Sequence, residues 1–394
     1  MEQLLKILLV HNRYGVYSGE EAAVDRLEAL LSRHGHEVRR YERDSAALGS
    51  WPSVARAFFS SLYSPRARRD IVRLLDGFRP DIVHVHNLYP LISPAILPLI
   101  KERETPLVMT VHNFRLICPT GLFYSHGEVC ERCDGGREYW CALRNCTGSR
   151  GKSLAYALRN AWARMQGSYF RHIDRFICLT AFQRQRLDDG SGRFVVLRNS
   201  ADDVEDADAG EIRLQGGGDY VGFVGRLTAE KGVEILAGVC RHLPHIPFVF
   251  AGAYDDRATR LFDGLENVTL LGHQPAGTLP AFYRRARLMV LPSQCYEGSP
   301  LALMEAMWQA RPVVCSAVGG LAEIVDDGIT GLLARADDVE DFSQAIERLW
   351  CDPALCRRLG EAARKKARRD YGDQAHYQGL MRIYADARQR TSSG

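Results

Sequence analysis

The 394-residue sequence lacks several features that would assign it to a special class. No run approaches the ~18 consecutive apolar residues that a membrane-spanning helix needs. We find no repeat at solenoid spacing and no low-complexity tract. The formal net charge is only +3, with acidic and basic residues interleaved, so no nucleic-acid partner is predicted. The apolar segment of the amino terminus, MEQLLKILLVHN, is too short for a secretory leader and predicts a first strand instead.

The composition is that of a soluble globular protein, with 46% hydrophobic and 25% charged residues, and the length predicts two domains. We expect a cytoplasmic protein. One segment, Ala55 to Arg73, carries five arginines, one aspartate and several large apolar groups. This composition suits peripheral contact with the anionic inner face of a membrane. The alternative is a helix with one solvated face and one buried stripe.

Short β-rich runs alternate with longer helical patterns along nearly the whole chain. This alternation predicts an α/β protein of two doubly wound, Rossmann-like domains facing a deep cleft. The predicted strands of the first half are LKILLVHN, HEVRRYER, DIVHVHN, PLVMTVHN, RFICLT and RFVVLRN. Those of the second half are DYVGFVG, IPFVFAG, VTLLG, RLMVLPS, PVVCSA and TGLLA. Ligands of such sheets bind beyond the carboxyl ends of the strands, so the cleft is the predicted place for chemistry.

The domain boundaries follow from where the alternation stops. Residues 200–218 are acidic and glycine-rich without apolar periodicity, which indicates a linker. We therefore predict an amino-terminal domain at 1–199 with a cysteine-rich insertion near 118–150, and a second domain at 219–371. The last helix, at 372–394, is predicted to pack back on the amino-terminal domain.

The stretch EGSPLALMEAMWQARPVV, which begins at Glu297, contains two carboxylates around a predicted helix start. Ser299 suits the N-cap and Pro300 the first helical position, with the helix running to about residue 310. The free amides from Gly298 to Leu301 would form an anion site suited to phosphate.

The carboxylates of Glu297 and Glu305 would repel a phosphate held by those amides. They are therefore predicted to accept hydrogen bonds from the hydroxyls of a ribose or a sugar. The alternative is that the two acids only complement the helix dipole. A second stretch, GFVGRLTAEKGVEIL, places Arg226 and Lys231 after a strand and at a helix start. Both cations would face one point beyond the strand end and neutralise a pyrophosphate, although such residues are often only solvated surface charges.

Together, VGRLTAEKG and YEGSPLALMEAM resemble the carboxyl-terminal domain of retaining, nucleotide-sugar-dependent glycosyltransferases of the GT-B fold, family GT4 (glycosyl transferases group 1). The following VGGLAEIVDDGITGLL extends the resemblance. The amino-terminal VYSGEEAAVDRLEALLSRHGHEV resembles the glycine-rich first loop and helix of the family. Ser18 stands where many members have a glycine, which leaves Gly19 for close backbone approach to phosphate.

The resemblance implies a role for each matching residue. Arg226 and Lys231 would contact the diphosphate, Glu305 the ribose and Glu297 the transferred sugar. His112 matches a histidine near the anomeric carbon, but a structural role is the alternative, and His11, His84 and His86 also end strands. The implied catalytic residues are His112, Arg226, Lys231 and Glu297. The implied donor-binding residues are Gly19, Arg226, Lys231, Glu297, Gly298, Ser299, Pro300, Leu301 and Glu305.

The implied reaction moves a sugar from a UDP- or GDP-sugar to an acceptor hydroxyl with retention. It needs no divalent metal, because the two cations stabilise the departing phosphate. A role in polysaccharide or lipid-linked glycan biosynthesis is expected. The alternatives are a glycosyltransferase of a small secondary metabolite, a GT-B-fold nucleotide-sugar epimerase, and a non-catalytic nucleotide-sugar sensor or scaffold.

Five of the eleven cysteines lie between positions 118 and 146. Cys130 and Cys133 form a C-x2-C pair, and the spacing is compatible with a tetrahedral structural zinc. Unligated thiols are the alternative, with a redox or iron–sulfur site after them. Cysteine-bearing insertions in some members of the resembled family favour Cys118, Cys130, Cys133 and Cys146 as ligands, with Cys141 as an alternate.

Overall fold

The computed structural model describes residues 3–15, 17–46, 51–201 and 219–393, with only the backbone of 51–56 and 392–393. Most of the predicted linker, at 202–218, therefore lies outside the described residues. The chain divides into two compact units. The first comprises Met1–Ser125, Cys130–Arg198 and His376–Gly394, and the second comprises His126–Val129 and Asn199–Ala375.

The strands are β1 Lys6–Arg13, β2 Glu37–Asp44, β3 Ile82–Val85, β4 Leu107–Val111, β5 Tyr124–Ser125, β6 Glu128–Val129, β7 Arg175–Cys178, β8 Phe194–Val196, β9 Tyr220–Val224, β10 Phe248–Ala251, β11 Val268–Gly272, β12 Ala286–Leu291, β13 Val313–Ser316 and β14 Gly331–Ala334. The α-helices are α1 Gly19–Arg33, α2 Trp51–Leu62, α3 Pro65–Phe78, α4 Leu97–Lys101, α5 Tyr139–Leu143, α6 Arg150–Met165, α7 Ala181–Leu187, α8 Val233–His242, α9 Asp256–Phe262, α10 Leu279–Arg285, α11 Leu301–Trp308, α12 Leu321–Ile324, α13 Val339–Cys351, α14 Pro353–Asp370 and α15 Asp373–Ser393. Short 3-10 helices cover Pro94–Ile96, Ala229–Lys231 and Ala276–Thr278.

Each unit is built on a six-stranded sheet, and every predicted strand of the sequence forms one of these strands. The first sheet has the order β2-β1-β3-β4-β7-β8, and the second has the order β11-β10-β9-β12-β13-β14. The paired strands run parallel in both sheets. The strand order reverses next to β1 in the first sheet and next to β9 in the second. Loops that follow the strands on the two sides of such a reversal leave a crevice between them, where ligands of doubly wound sheets bind.

The first sheet is buried on both faces, and alternate residues of β1 show this. Leu8 and Val10 belong to one core cluster, whereas Ile7 and Leu9 belong to another, in which Tyr384 of α15 is also buried. Strands covered on both faces read as nearly continuous apolar runs, and this is why LKILLVHN was recognisable. In the second unit, Phe223 and Phe250 are part of a single large core.

The segment from Ala55 to Arg73 contributes to α2 and α3. The apolar face of α3 is buried in the core, including Ala67 and Ile71. For α3, the sequence alternative of a solvated helix with a buried stripe therefore describes the structure. No helix in the described ranges has the length and apolar content needed to cross a membrane.

Candidate functional site

In the second unit, the loops after β9 and β12 lie side by side, because these two strands are neighbours at the reversal of strand order. The amide of Gln294 donates to the carbonyl oxygen of Glu230 at 2.9 Å and joins the two loops. Gly232 has φ +79°, and a Cβ there would lie 1.9 Å from the Pro292 carbonyl oxygen. Only glycine fits this position, so the close approach of the two loops depends on it.

This approach brings together two residues singled out in the sequence. The Lys231 ammonium donates to the Glu297 carboxylate, which also accepts a hydrogen bond of 2.8 Å from the Ser293 hydroxyl. Burial alone would lower the pKa of Lys231, but Glu297 raises it above the ordinary lysine value. Burial would raise the pKa of Glu297, and Lys231 brings it below the ordinary glutamate value. Both groups are therefore charged at neutral pH.

Arg226, the second predicted phosphate ligand, follows β9 and is more exposed than Lys231. Its guanidinium Nη2 lies 3.2 Å from Glu230 Oε1, and about half of the arginine side chain is accessible. Each of the two predicted cations thus has a carboxylate partner. Because the two ion pairs are neutral overall, positive potential from the amides and dipole of α11 would add to the attraction of an anion.

Helix α11 begins one residue later than predicted. Its first residue is Leu301, and Pro300 is the N-cap, so Ser299 is not the cap. The Ser299 hydroxyl instead contacts the Met304 sulfur at 3.3 Å. The helix ends at Trp308, two residues before the predicted end. The first amides of an α-helix have no acceptor within the helix, so the Leu301 amide is a donor of the kind expected of an anion site, whereas Pro300 has no N–H to donate.

Glu305, the second acid of this stretch, is on the second turn of α11. Its carboxylate accepts a hydrogen bond of 2.8 Å from the Tyr283 hydroxyl, and Tyr283 itself is buried. The tyrosine fixes one carboxylate oxygen. The partly exposed carboxylate can still accept further hydrogen bonds, which a vicinal diol would supply.

In the first unit, three neighbouring strands, β1, β3 and β4, are each followed or ended by the sequence Val-His-Asn. His86 Nδ1 lies 2.9 Å from His112 Nε2, and the two rings stack. His84 forms hydrogen bonds of 2.8 Å with the hydroxyls of Tyr384 and Thr110. His11 is buried beside the two glutamates that begin α1. The four strand-end histidines of the sequence therefore form one cluster.

His112 also lines a pocket with Glu20, Asn113 and Arg115. Burial lowers the pKa of His112 and lowers the pKa of His86 further, so both rings are neutral at pH 7. The Tyr14 hydroxyl connects the two charged residues of this pocket. It accepts from Arg115 at 2.9 Å and donates to Glu20 at 3.1 Å. A carboxylate and a guanidinium bonded to the same hydroxyl suit a neutral polar ligand better than an anion.

Gly19 is the first residue of α1, and Ser18 is its N-cap. The Glu21 side chain returns to accept from the Ser18 amide at 3.0 Å and from the Tyr14 amide at 2.9 Å. The serine that departs from the family pattern therefore completes a capping box. No described atom lies within 4 Å of a Cβ built on Gly19, so space beside the backbone is open there.

The described structure does not support the predicted metal site at the five clustered cysteines. No three His, Cys, Asp or Glu side chains in the described ranges are placed to hold a metal ion, so the structure does not support zinc at Cys118, Cys130, Cys133 and Cys146 or at the alternate Cys141. The thiols have other partners. Cys118 Sγ lies 3.2 Å from the Thr120 hydroxyl, and Cys146 Sγ accepts from the Ser125 hydroxyl at 3.3 Å. A hydrogen bond with Cys146 raises the pKa of Cys141, and burial raises the pKa of Cys133 to about 12.

Several polar residues at these two places were missed in the sequence. Tyr283 and Ser293 support the acids of the second unit, and Glu20 and Arg115 line the pocket of the first. The repeated Val-His-Asn was the available signal for the histidine cluster. No local pattern pointed to Tyr283, because its partner is 22 positions away on another helix.

Comparison with known proteins places these two units in a family. Residues 18–199 match the model of the glycosyl transferase 4-like domain, and residues 204–366 match that of glycosyl transferases group 1. An uncharacterized glycosyltransferase of Methanocaldococcus jannaschii is 29% identical over 248 residues, which are 59% of this chain and 66% of that protein. The chain thus spans slightly less than two thirds of the length of this relative.

Solved structures agree in fold. Sucrose-phosphate synthase from Thermosynechococcus elongatus has a TM-score of 0.70 at 19% identity, covering 99% of this chain and 100% of that one. The Anabaena protein HepE, solved with UDP and glucose, has a TM-score of 0.64 at 17% identity, covering 97% and 99%. The two parallel sheets thus form a GT-B fold, as predicted. The chain belongs to the GT4-type glycosyltransferases.

Proposed function

We propose that this glycosyltransferase is a retaining enzyme that moves a sugar from a UDP- or GDP-sugar to an acceptor hydroxyl. The observation that carries the proposal is the meeting of Lys231 and Glu297 beside the start of α11. The cation proposed to bind phosphate and the carboxylate proposed to bind hydroxyls are thus joined by a hydrogen bond. A nucleoside diphosphate sugar presents phosphate and hydroxyl groups at a similarly short separation.

The donor diphosphate would compete with the two carboxylates for their cations. Its negative charge would draw Lys231 away from Glu297 and Arg226 away from Glu230, while the amides of Gly298, Ser299 and Leu301 donate to its oxygens. Glu297 would then be available to accept from hydroxyls of the transferred sugar. This exchange explains how a site whose ion pairs are neutral overall can still bind an anion.

The ribose is proposed to bind at Glu305. Tyr283 holds one oxygen of this carboxylate, and an anchored carboxylate loses less side-chain freedom when it accepts from a diol. In the first unit, Gly19 offers open space for close approach of a phosphate, and His112 is proposed to contact the transferred sugar.

Catalysis in this proposal is mainly electrostatic. Negative charge grows on the departing phosphate, where Lys231, Arg226 and the dipole of α11 stabilise it without a divalent metal. The acceptor oxygen bonds to the anomeric carbon on the face from which the phosphate departs, so no side chain has to act as a covalent nucleophile. The departing phosphate takes the hydroxyl proton, so no side chain has to act as the base. The acceptor is proposed to be a polysaccharide or a lipid-linked glycan, and a small secondary metabolite is the competing class.

The test is a panel of nucleotide sugars in a thermal-shift assay, followed by turnover assays. UDP-glucose is the first donor to try, because HepE was also solved with UDP-glucose. A donor present at 100 times its dissociation constant should stabilise the protein by about 2.7 kcal/mol. Release of nucleoside diphosphate should then depend on the acceptor, and the anomeric proton coupling of the product should report retention.

Matched variants separate site chemistry from general stability. Lys231→Ala should abolish acceptor-dependent release, whereas Lys366→Ala should not, although Lys366 is also a mostly buried lysine with a carboxylate partner. If no nucleotide sugar stabilises the protein, the donor site is wrong. Donor turnover without any acceptor, giving an epimeric nucleotide sugar, would instead identify an epimerase.

A further inference from the structure

Helix α6 of the first unit has an apolar stripe on its outer face. Leu154, Leu158, Trp162 and Met165 are 50%, 51%, 48% and 70% exposed. Their spacing of four, four and three residues places all four on one side of the helix. The opposite side is buried, with Ser153, Ala157, Asn160 and Ala163 facing inward. A single 16-residue helix thus exposes four large apolar side chains.

The neighbouring helix α2 and the residue after it add exposed apolar side chains. It packs against α6, and Phe59 is 66% exposed near its end, followed by Tyr63 at 54%. We call these six residues the α6 face: Phe59, Tyr63, Leu154, Leu158, Trp162 and Met165. Scattered single apolar residues are normal on protein surfaces, but a contiguous set such as the stripe of α6 usually marks a site of interaction.

The exposed charged residues that the structure describes on α6 and in the first turn of α3 are all basic. Helix α6 contains no acidic residue, and its Arg150 and Lys152 are exposed and form no ion pair with a described carboxylate. Arg66 and Arg69 are exposed in the first turns of α3, directly after Tyr63. Arg164, also on α6, differs from these residues because its charge is paired with Glu138. The apolar surface is therefore flanked by uncompensated positive charge.

We propose that the α6 face is a docking surface for an anionic lipid membrane. Leucine, tryptophan and phenylalanine on a helix, with lysine and arginine beside them, are the composition of helices that lie in the headgroup region. The flanking cations would attract anionic headgroups, while the stripe inserts at the acyl boundary. A protein partner fits less well, because the cores of protein interfaces are depleted of lysine and usually require a complementary shape.

This proposal is independent of the transfer reaction, since none of its residues belongs to the donor site. It would bring the enzyme to a lipid-linked acceptor. It also revises which part of the sequence meets the lipid. The arginine-rich segment contributes Phe59 and Tyr63, but the apolar side of α3 is buried, and α6 supplies most of the surface.

Vesicle sedimentation of the full chain tests the proposal. The wild type should bind vesicles of phosphatidylcholine with roughly 30% phosphatidylglycerol at least about tenfold more tightly than phosphatidylcholine alone, and added salt should weaken the binding. Leu158→Glu should reduce binding to the anionic vesicles by about tenfold or more. Ile329→Glu is the control, because Ile329 is 61% exposed in the second unit and should leave binding unchanged.

Three results would overturn the proposal. The first is no sedimentation of the wild type with either vesicle at about 100 mM salt, a measurement that needs no variant. The second is equal binding to both vesicles, since anionic headgroups would then not be recognised. The third is a wild-type dimer in light scattering that Leu158→Glu converts to a monomer, which would make the occupant a second copy of the chain.

The double variant Arg150→Gln with Lys152→Gln tests the charges separately. It leaves the stripe intact and should remove the preference for phosphatidylglycerol.

Discussion

His86 Nδ1 and His112 Nε2 lie 2.9 Å apart and form a hydrogen bond between two neutral imidazoles. One of these two nitrogens therefore carries the proton and the other accepts it. The other nitrogen of His86, Nε2, is buried and has no hydrogen-bond partner among the described residues. A buried N–H without a partner is rarer in proteins than a buried acceptor without one. We therefore infer that His86 carries its proton on Nδ1 and donates to His112. His112 must then carry its own proton on Nδ1.

The first prediction is that His86 sets the tautomer of His112. Nitrogen-15 NMR of the wild type should show a protonated Nδ1 on His112 at neutral pH. In His86→Phe this preference should be lost, and the donor KM should rise about tenfold, equivalent to ~1.4 kcal/mol, with a smaller effect on kcat. Thr110→Val is the control, because it removes a hydrogen bond from His84 and leaves the His86–His112 pair in place. A wild-type His112 protonated on Nε2 would refute the assignment.

The strands of this fold were predictable, because parallel strands buried on both faces give short apolar runs separated by helical patterns. LKILLVHN and DYVGFVG each became a strand of the expected sheet. The limits of α11 were less accurate. Pro300 took the N-cap position that Ser299 was expected to fill, because a local preference does not determine where a helix begins against its tertiary contacts.

The pairings within the sites were not predictable from local sequence. Lys231 and Glu297 are 66 positions apart, and they meet because β9 and β12 are adjacent in the sheet. Sequence order does not reveal that adjacency. Cysteine spacing likewise indicated a metal site, yet Cys118 and Cys146 contact hydroxyl groups in the folded chain. Spacing limits which residues can meet, but the surrounding fold decides which ones do.

The second prediction concerns the Lys231–Glu297 pair. Lys231→Met should lower the free energy of unfolding by about 3 kcal/mol, because it leaves the buried Glu297 carboxylate without its cation. The double variant Lys231→Met with Glu297→Gln should recover part of that loss, since no uncompensated charge remains. Urea unfolding of the four proteins of this cycle would measure the coupling.

Activity should not follow stability in this cycle. The double variant should remain inactive, with kcat lower by about 100-fold or more, because the cation at the departing phosphate is missing. Lys366→Met is the control for removing a lysine from an ion pair. Its partner Asp326 is about half exposed, so water can solvate the carboxylate left behind and the protein should lose little stability. A double variant with near-normal turnover would show that Lys231 has only a structural role.

The third prediction is that Tyr283 supports nucleotide binding through Glu305. Tyr283→Phe removes the hydroxyl that fixes this carboxylate, and affinity for UDP or GDP should fall about threefold to tenfold, on the order of 1 kcal/mol. Isothermal titration calorimetry would measure the change. Tyr220→Phe is a matched control, because its hydroxyl donates instead to the carbonyl of Phe282, and the change should leave nucleotide affinity intact.

The fourth prediction is a loss of stability on acidification that originates at His84. Burial lowers the pKa of His84 from 6.5 to about 3. The unfolded chain therefore binds a proton at this residue at a higher pH than the folded chain does. The free energy of unfolding should fall as the pH drops from about 6.5 towards 3, by about 4 kcal/mol in total from this residue.

Replacing His84 by glutamine should distinguish this effect from simple loss of packing. His84→Gln should be less stable than the wild type near pH 7, but its stability should depend less on pH between about 6.5 and 4.5. Urea midpoints at several pH values, with tryptophan fluorescence as the signal, would measure both effects. An unchanged pH dependence in His84→Gln would mean that another group carries the transition.

The fifth prediction concerns the clustered cysteines. Cys133 and Cys141 are buried among neighbouring thiols, whereas Cys351 is exposed at the end of α13. Iodoacetamide at about pH 8 should therefore modify Cys351 first in the native protein, with Cys133 and Cys141 reacting at least about tenfold more slowly, because reactivity requires both access and thiolate character. Peptide mass spectrometry over time would give the rates, and all three residues should react at similar rates in urea.

Elemental analysis of the native protein tests the same arrangement of free thiols. One zinc per chain, together with faster modification of Cys133 and Cys141 after chelation, would mean that the thiols bind a metal after all.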